Sequence, residues 1–280
     1  MISATGLIKR VDTVDFPAAP EVVVRLSRML SDMGVSGEAL ADVLALDAGV
    51  SARVLRLANS VYFRGSGIRS IEEAVLRVGV DGVRDVVFAL SLVRAFKPLH
   101  FNYHLFWRHG LAVAQAVLVL QKHALNITAP LPELYAAGLL HDVGMLVLDR
   151  TLGSSYGDIL TKAHDEKRQL YQVERDVIGT DHADAGGSLL EAWKVNTALA
   201  LAVGGHHDPL AHASPSVKLV HLGDFVANFH GVHHGTGWRA DETHQAIWDE
   251  LGISERELPA IQSEVAAGMA KADAILSVAR

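Results

Sequence analysis

Residues 135–144 of this 280-residue chain read YAAGLLHDVG, and this stretch decides the fold. Small and apolar residues lead into the pair His141 and Asp142, and Gly144 then permits a close approach or a bend of the backbone. An ionised aspartate in such apolar company is costly to bury unless it is paired or binds a metal ion. The stretch therefore predicts a buried helix that ends at a histidine–aspartate pair with a chemical role.

The sequence on both sides of this stretch has a helical pattern. Apolar residues recur at the 3.6-residue spacing of one-sided helices, and we find no convincing strand. Ser70 with Glu73, and Ser254 with Glu257, form capping boxes that mark two helix starts. The predicted fold class is all-α, with two helical lobes. The predicted helices cover residues 20–32, 37–46, 48–58, 70–79, 81–96, 103–125, 132–149, 154–165, 168–178, 182–193, 197–206, 215–229, 241–250 and 255–278.

The domain organisation is read from the distribution of histidine and proline. All fifteen histidines lie from residue 100 onward, and Pro98 blocks continuation of a helix just before them. We expect a poorly ordered lead-in over residues 1–15, an N-terminal helical lobe over 16–97 and a histidine-rich helical lobe over 98–230. Residues 231–280 are expected to form a loop and C-terminal helices that pack on the module.

The composition excludes several classes of function. Lys and Arg number 25 and Asp and Glu 32, a formal net charge of −7, which argues against a general binder of nucleic acid or anionic membranes. The absence of cysteine excludes disulfides, iron–sulfur clusters and thiol catalysis. No apolar run is long enough to span a membrane, and the N-terminus lacks an apolar signal core, so we expect a cytoplasmic location.

The histidines and aspartates of the second lobe suggest a metal site. A metal ion bound between helices needs one or two ligands from each of several helices. Imidazoles with carboxylates and no thiolate suit Fe, Mn, Zn or Ni, and carboxylates with water also allow Mg. Asp142 has two oxygens and can bridge two ions, an arrangement typical of phosphoester hydrolysis. The candidate ligands are His109, His141, Asp142, His182, His206, His207 and Asp224.

Each of these residues also has a structural interpretation. A single histidine on an apolar helix is usually a core residue bonded to a carbonyl, and Asp224 can pair with His221 three residues before it. The loop of residues 230–235 (HGVHHG) is interpreted as a solvated loop, with a second metal site as the alternative. Arg108, beside His109, either meets a phosphate or is solvated. The residues alone leave these alternatives open.

The order and spacing of the seven positions resemble the HD superfamily of helical metal-dependent phosphohydrolases. More closely, about residues 15–230 resemble an HDOD domain, the signalling branch of that superfamily, so that the second lobe is expected to be an HD-like helical bundle. The resemblance lies in residues 16–20 (FPAAP), 47–52 (DAGVSA), 53–60 (RVLRLANS), 68–71 (IRSI), 73–75 (EAV), 106–109 (FWRH), 138–144 (GLLHDVG), 181–183 (DHA), Trp193 and the pair 206–207 (HH).

The resemblance implies a ligand set for one or two divalent ions. The HD pattern makes His109, His141, Asp142 and Asp224 the ligands of one ion. The two-metal HD-GYP branch adds a second ion, bridged by Asp142 and held by His182, His206 and His207.

Two departures from the HD-GYP branch argue against hydrolysis of a cyclic dinucleotide. Met145 stands where that branch has a lysine, and no GYP segment follows the paired histidines. We therefore expect a regulatory module that binds a metal ion and either a signalling protein or a nucleotide-type ligand. The alternative is a metal-dependent phosphohydrolase acting on a nucleotide or phosphoester, with Asp142 and Arg108 as its catalytic candidates. A purely structural helical scaffold is a third reading, which leaves the seven positions unexplained.

Overall fold

The computed structural model of the chain describes residues 48–59, 67–80, 83, 97–125, 127, 129, 131–193, 195–235 and 245–279. Within these residues every regular element is helical and no strand occurs, which confirms the all-α fold class. The predicted lead-in, the helices at 20–32 and 37–46 and nearly all of the helix at 81–96 lie outside the described residues. None of the described helices has the length and apolar character needed to cross a membrane.

The helices follow the sequence pattern closely. Short 3₁₀ turns at Pro209–Ala211 and Glu255–Glu257 accompany them. The helices are α1 (Ala48–Ala58), α2 (Ile71–Val78), α3 (Tyr103–His123), α4 (Leu131–Leu140), α5 (Val143–Leu152), α6 (Ser154–Asp165), α7 (Leu170–Ile178), α8 (His182–Ala192), α9 (Thr197–Gly204), α10 (Pro215–Phe229), α11 (Gln245–Leu251) and α12 (Leu258–Ala279).

The described residues fall into two compact units. Residues 97–268 belong to one unit, and the described residues of 17–96 together with 269–279 belong to the other. The predicted lobe boundaries at 15, 97 and 230 stay predictions.

The first unit is built around α3. This helix packs against α4 and α10, while α8 packs between α5 and α9, and α9 also contacts α4 and α10. Its side chains from Leu111 to Val117 are buried on every face, as expected for a helix at the centre of a bundle. The bundle therefore brings α3, α8, α9, α10 and the α4–α5 junction towards one interior region.

Residues 135–144, the stretch quoted first, belong to two helices, whereas the periodicity predicted one helix over residues 132–149. Helix α4 ends at Leu140, His141 and Asp142 form a turn, and α5 begins at Val143. Asp142 occupies the N-cap position of α5, yet its side chain makes no capping hydrogen bond. Its carboxylate is instead directed towards histidines. The single long helix predicted from periodicity was wrong here, whereas the helix end predicted at this pair from residues 135–144 agrees with the structure.

Gly144 provides the close approach that the sequence suggested. A Cβ atom at this position would lie 1.8 Å from the carbonyl oxygen of His182 and 2.6 Å from the backbone nitrogen of Gly186. Only a residue without a side chain allows α5 and α8 to pack at this distance. This contact places the start of α8, and with it His182, directly beside Asp142.

The second unit contains Asn59 of the RVLRLANS stretch, which resembles the HDOD domain. Asn59 has a structural role. The side-chain amide of Asn59 donates to the carbonyls of Leu55 (2.9 Å) and Ile68 (2.8 Å), and its oxygen accepts from the Ile68 backbone nitrogen (2.9 Å). Ser70 then caps α2 by accepting from the Glu73 nitrogen at 3.2 Å. Asn59 therefore ties the end of α1 to the chain that leads into α2.

Candidate metal centre

The seven sequence-predicted residues all lie in the first unit. His109 is in the middle of α3, and Asp224 is in the middle of α10. The other five lie at helix ends: His141 and Asp142 in the α4–α5 turn, His182 as the first residue of α8, and His206 and His207 just after α9. Residues more than 100 positions apart in sequence are thus carried to one place by the packing of the bundle.

Asp142 lies at the centre of this group. Its Oδ2 is 3.1 Å from His141 Nε2 and 3.6 Å from His109 Nε2. Its Oδ1 is 3.2 Å from His182 Nε2 and 3.9 Å from His206 Nε2. The two oxygens of one carboxylate therefore face two different sets of histidines.

The first cluster consists of His109, His141 and Asp142, whose ligand-capable atoms lie within 4.8 Å of one another. Asp224 adjoins it, with Oδ1 at 3.0 Å from His109 Nε2 and 3.9 Å from His141 Nε2. Asp224 also accepts a hydrogen bond of 2.7 Å from Asn228. The structure therefore brings together the four residues that the HD pattern assigns to one ion.

The second cluster consists of His182, His206 and His207, whose ligand-capable atoms also lie within 4.8 Å of one another. The Nε2 atoms of His182 and His207 are 2.7 Å apart. His221, considered above as a partner of Asp224, donates from Nδ1 to the His206 carbonyl at 2.9 Å. The histidines that the two-metal pattern adds are therefore also adjacent, on the Oδ1 side of Asp142.

Three site histidines are oriented by a hydrogen bond from ring atom Nδ1 to a backbone carbonyl. Because a carbonyl oxygen only accepts, Nδ1 of each ring must carry the proton, and Nε2 of the neutral ring then offers its lone pair. The pairs are His109 Nδ1 with Val232 (2.7 Å), His141 Nδ1 with Gly138 (2.8 Å) and His206 Nδ1 with Val203 (2.7 Å). All three Nε2 atoms lie within 4 Å of the Asp142 carboxylate.

Four buried atoms at this place have no hydrogen-bond partner among the described residues. They are Nε2 of His109, His141 and His206 and Oδ2 of Asp142. Each offers a lone pair, and burying converging lone pairs away from water is costly unless a cation or proton lies among them. His109 Nε2 and Asp224 Oδ1 face each other in this way, and their contact becomes a hydrogen bond only if both nitrogens of His109 are protonated. The donor set fits a bound cation.

The electrostatics favour ionised carboxylates at the centre. Burial opposes the charge of Asp142, but the nearby His141 and His182 outweigh burial and hold the pKa of Asp142 well below its usual range. Burial likewise opposes the charge of Asp224, and the adjacent His109 lowers the pKa of Asp224 below the usual value. The same contact raises the pKa of His109 despite burial. Both carboxylates are therefore negatively charged at neutral pH.

The second cluster contains two neutral histidines and one basic histidine. Burial, together with the neighbouring His141 and His182, lowers the pKa of His206 to about 4. Burial and the neighbouring His206 also hold the pKa of His207 well below its usual value. Burial opposes the charge of His182, but Glu174 and Asp142 raise its pKa well above the usual value. His206 and His207 are thus in the unprotonated form that binds metal ions.

One side of the centre is open to solvent. The Asp224 side chain is 19% exposed, compared with 7% for Asp142 and 1% for His109 and His141. His207 is half-buried, and Tyr171 stacks on its ring with the centroids 4.2 Å apart. Asp224 and His207 are therefore the residues of the centre that solvent reaches most.

The loop at 230–235, interpreted from the sequence as solvated with a second metal site as the alternative, adjoins this site. Val232 is buried and its carbonyl holds His109, while the ring of half-buried His234 is 5.3 Å from the His109 ring. Burial lowers the pKa of His234 to about 3. No periodicity marks a histidine in a loop, so only the folded chain reveals that His234 faces the centre.

Glu174 was also missed by the sequence reasoning. It is fully buried and accepts a 2.6 Å hydrogen bond from His182 Nδ1. Its signal in the sequence is its place four residues after Leu170 on the buried face of α7, where an acidic residue is unusual.

Met145, which departs from the HD-GYP branch, and Arg108, the candidate for phosphate contact, lie in different surroundings. Met145 is fully buried in α5, so this position has no contact with solvent or with a phosphate in solvent. Arg108 is half-buried on α3, one residue before His109 and therefore about 100° around the helix from it. Met145 therefore supplies no phosphate contact, and the role of Arg108 stays a prediction.

Fold and site together define a helical protein with an HD-type histidine–aspartate centre. The sequence matches the HDOD domain family over residues 16–209, and the chain therefore belongs to the HDOD family.

Comparison with individual proteins agrees with this assignment. The chain resembles the crystal structure of an HDOD domain protein of unknown function from Geobacter sulfurreducens with 26% identity and a TM-score of 0.80, covering 97% of this chain and 96% of the other. It resembles a candidate signal transduction protein from Marinobacter aquaeolei VT8 with 26% identity and a TM-score of 0.79, covering 98% of this chain and 64% of the other.

A curated relative is considerably longer than the match. An uncharacterised protein of Treponema pallidum (strain Nichols) is 27% identical over 224 residues, which is 77% of this chain and 41% of that protein. The chain thus spans less than half of the length of this relative.

Proposed function

We propose that this HDOD chain is a signal-transduction module whose HD-type centre binds divalent metal. His109, His141, Asp142 and Asp224 hold one ion, and His182, His206 and His207 hold a second, with Asp142 between them. The observation that carries the proposal is the group of four buried lone-pair atoms without a hydrogen-bond partner. In the module, the ion and the open side beside Asp224 form the binding place for a nucleotide-type ligand or an acidic group of a signalling protein.

A regulatory role is favoured over catalysis by the surroundings of the centre. The likeness to a candidate signal transduction protein at 26% identity supports signalling. The position that carries a lysine in the HD-GYP branch is the buried Met145, so a phosphate at the centre lacks that contact. Asp142 and Asp224 would hold the ion, which would supply a Lewis acid and offset their charge, so that an anionic ligand could bind beside them.

The second candidate function is a metal-dependent phosphohydrolase. It is favoured by one specific observation, the division of the Asp142 oxygens between two clusters, since two adjacent ions suit phosphoester hydrolysis. In that case Asp142 orients both ions, and the open side at Asp224 admits the phosphoester.

Metal analysis and a phosphatase panel separate these two functions. Protein purified without a histidine tag is analysed for Fe, Mn, Zn, Ni and Mg, then assayed on nucleotides and simple phosphoesters with added Mn²⁺ or Fe²⁺. Metal near stoichiometry without phosphate release supports the signalling module, whereas phosphate release that disappears in Asp142→Asn supports the enzyme. If the protein neither contains nor takes up any of these ions, the proposed metal centre is wrong.

A further inference from the structure

A buried carboxylate lies behind the second cluster and belongs to neither cluster. Glu174 on α7 has no exposed surface, and both of its oxygens are hydrogen-bonded. Oε2 accepts from Nδ1 of His182 at 2.6 Å and from the His182 backbone nitrogen at 3.0 Å. Oε1 accepts from the buried hydroxyl of Tyr156 at 2.6 Å. These three bonds fix both the carboxylate and the imidazole ring that it faces.

His182 thereby differs from His109, His141 and His206 in the group that accepts a hydrogen bond from its Nδ1. His109, His141 and His206 each donate from Nδ1 to a neutral backbone carbonyl. His182 donates to a carboxylate, and a carboxylate partner increases the electron-donating power of the opposite ring nitrogen. That opposite nitrogen, His182 Nε2, is the atom directed at Asp142 and His207.

The charges of the two clusters explain why such a partner is needed. The first cluster has Asp224 as a carboxylate of its own, 3.0 Å from His109, and shares Asp142. The second cluster consists of histidines alone and has only the Oδ1 side of the shared Asp142. Histidines bind a metal ion as neutral imidazoles, so three of them with a shared carboxylate would leave much of the charge of a buried divalent cation uncompensated. Glu174 contributes the missing negative charge through His182, as Asp224 does directly for the first cluster.

We propose that Glu174, held by Tyr156, is a positioning residue that equips the second cluster to bind a divalent cation of its own. This inference rests on the proposed metal centre and adds to it a specific role for two residues outside both clusters. Glu174 acts through His182 and does not contact the ion.

The test is a titration with Co²⁺ of untagged, metal-free wild type, Glu174→Gln and Asp149→Asn. Glutamine keeps an oxygen that accepts from His182 and an amide that donates to the Tyr156 hydroxyl, so the variant removes charge and keeps shape. Asp149 is the matched control, because it is also buried, is paired with a histidine (His100 Nδ1, 2.6 Å) and lies on α5, but belongs to neither cluster. Calorimetry counts the ions, and the visible absorption of Co²⁺ reports the ligands of each.

The expected result separates the two ions. Wild type and Asp149→Asn bind two Co²⁺ with distinct spectra, and Glu174→Gln binds the second ion at least about 10-fold more weakly with the first unchanged. A merely structural role of Glu174 would shift the melting temperature and leave this ratio of affinities intact. Tyr156→Phe, which keeps the charge but releases one oxygen of Glu174, weakens the second ion by a smaller factor and serves if Glu174→Gln does not fold.

Each of the remaining experimental results would overturn a different statement. Two ions bound with unchanged affinities in Glu174→Gln, or in Tyr156→Phe if that variant is needed, overturn the role of Glu174 and leave the metal centre standing. A single ion in wild type overturns the second-cluster inference alone. No ion in wild type overturns the proposed function itself.

Discussion

Asn59 in one unit and Asp142 in the other are both polar residues of motifs that resemble the HDOD family. Their hydrogen-bonding states are opposite. Asn59 uses its amide nitrogen and oxygen fully, in three hydrogen bonds to the backbone of Leu55 and Ile68. Asp142 keeps a buried oxygen without a hydrogen-bond partner, next to histidine nitrogens in the same state. A satisfied polar group stabilises the fold, whereas an unsatisfied one in a fixed place is prepared for a ligand.

The largest effect is expected for Gly144→Ala, which disturbs the packing that places His182 beside Asp142. The new Cβ would lie 1.8 Å from the His182 carbonyl oxygen, so α5 and α8 must separate. We expect a loss of about 3 kcal/mol or more in the free energy of unfolding, measured by chemical denaturation, together with loss of the second ion. The control is Gly157→Ala in α6, whose Cβ has its nearest neighbour at 3.4 Å. Gly157→Ala should raise the free energy of unfolding by up to about 1 kcal/mol. Equal effects of the two substitutions would contradict the packing argument.

The next effect is that of Asp142→Asn on metal binding. This substitution removes the charge shared by both clusters, so affinity for Mn²⁺ or Co²⁺ should fall by about 100-fold or more, as measured by calorimetry. Asp158→Asn, an exposed aspartate on α6, should leave the affinity unchanged. If Asp142→Asn binds metal as tightly as wild type, the contrast with Asn59 fails.

Asn59→Ala tests the other half of the comparison. Loss of three partly buried hydrogen bonds should destabilise the protein by about 2 kcal/mol, because typical hydrogen bonds contribute about 0.5–1.5 kcal/mol each. Metal affinity should not change. Asn102→Ala, which removes only the exposed cap of α3, should cost about 1 kcal/mol in the same denaturation experiment. A weakened metal site in Asn59→Ala would show that this residue is more than structural.

The smallest effect is expected at His123, a histidine with a partner on each ring nitrogen. Glu257 lies 3.1 Å from Nδ1 and Glu264 lies 3.2 Å from Nε2. The hydrogen bond with Glu257 is the main cause that raises the pKa of His123, and the pKa values of both glutamates are lowered.

The sign of the pH dependence follows from these directions. A raised histidine pKa stabilises the folded state fully below the unfolded-state pKa of about 6.5, and this contribution is lost as pH rises through the folded-state pKa. The lowered glutamate pKa values stabilise above about pH 4.5 and lose their contribution as pH falls. His123→Gln should therefore lower the melting temperature by about 1 °C near pH 5.5–6.5 and have no effect near pH 8 or above. The same difference at both pH values would contradict the ion-pair assignment.

The helices show how far local pattern determines structure. The capping residues Ser70 and Ser254 act where the sequence placed them, because a cap depends only on residues a few positions away. The single helix predicted at 132–149 was wrong, because periodicity alone does not register the break at His141 and Asp142, although the stretch up to Gly144 indicated a helix end there. The break is stabilised by contacts with distant helices, which a local pattern does not contain.

The candidate site shows the same division. The seven histidine and aspartate positions were found from residue type and from resemblance to the HD pattern, and the structure brings all seven together. Glu174 and His234 were missed, since one lies on an apolar helix face and the other in a loop rich in Gly and His. Their roles depend on what they face across the bundle, and neither type nor spacing carries that information.

The sequence by itself determined the helical class, the ends of most described helices and the identity of the potential ligands, because periodicity, capping and side-chain chemistry are properties of neighbouring residues. Only the tertiary structure decided that Asp142 divides its oxygens between two histidine clusters, that Met145 faces the core and that Glu174 supports His182. Those outcomes depend on α3, α5, α8, α9 and α10 meeting in one bundle, where distances of about 3 Å join residues far apart in the chain.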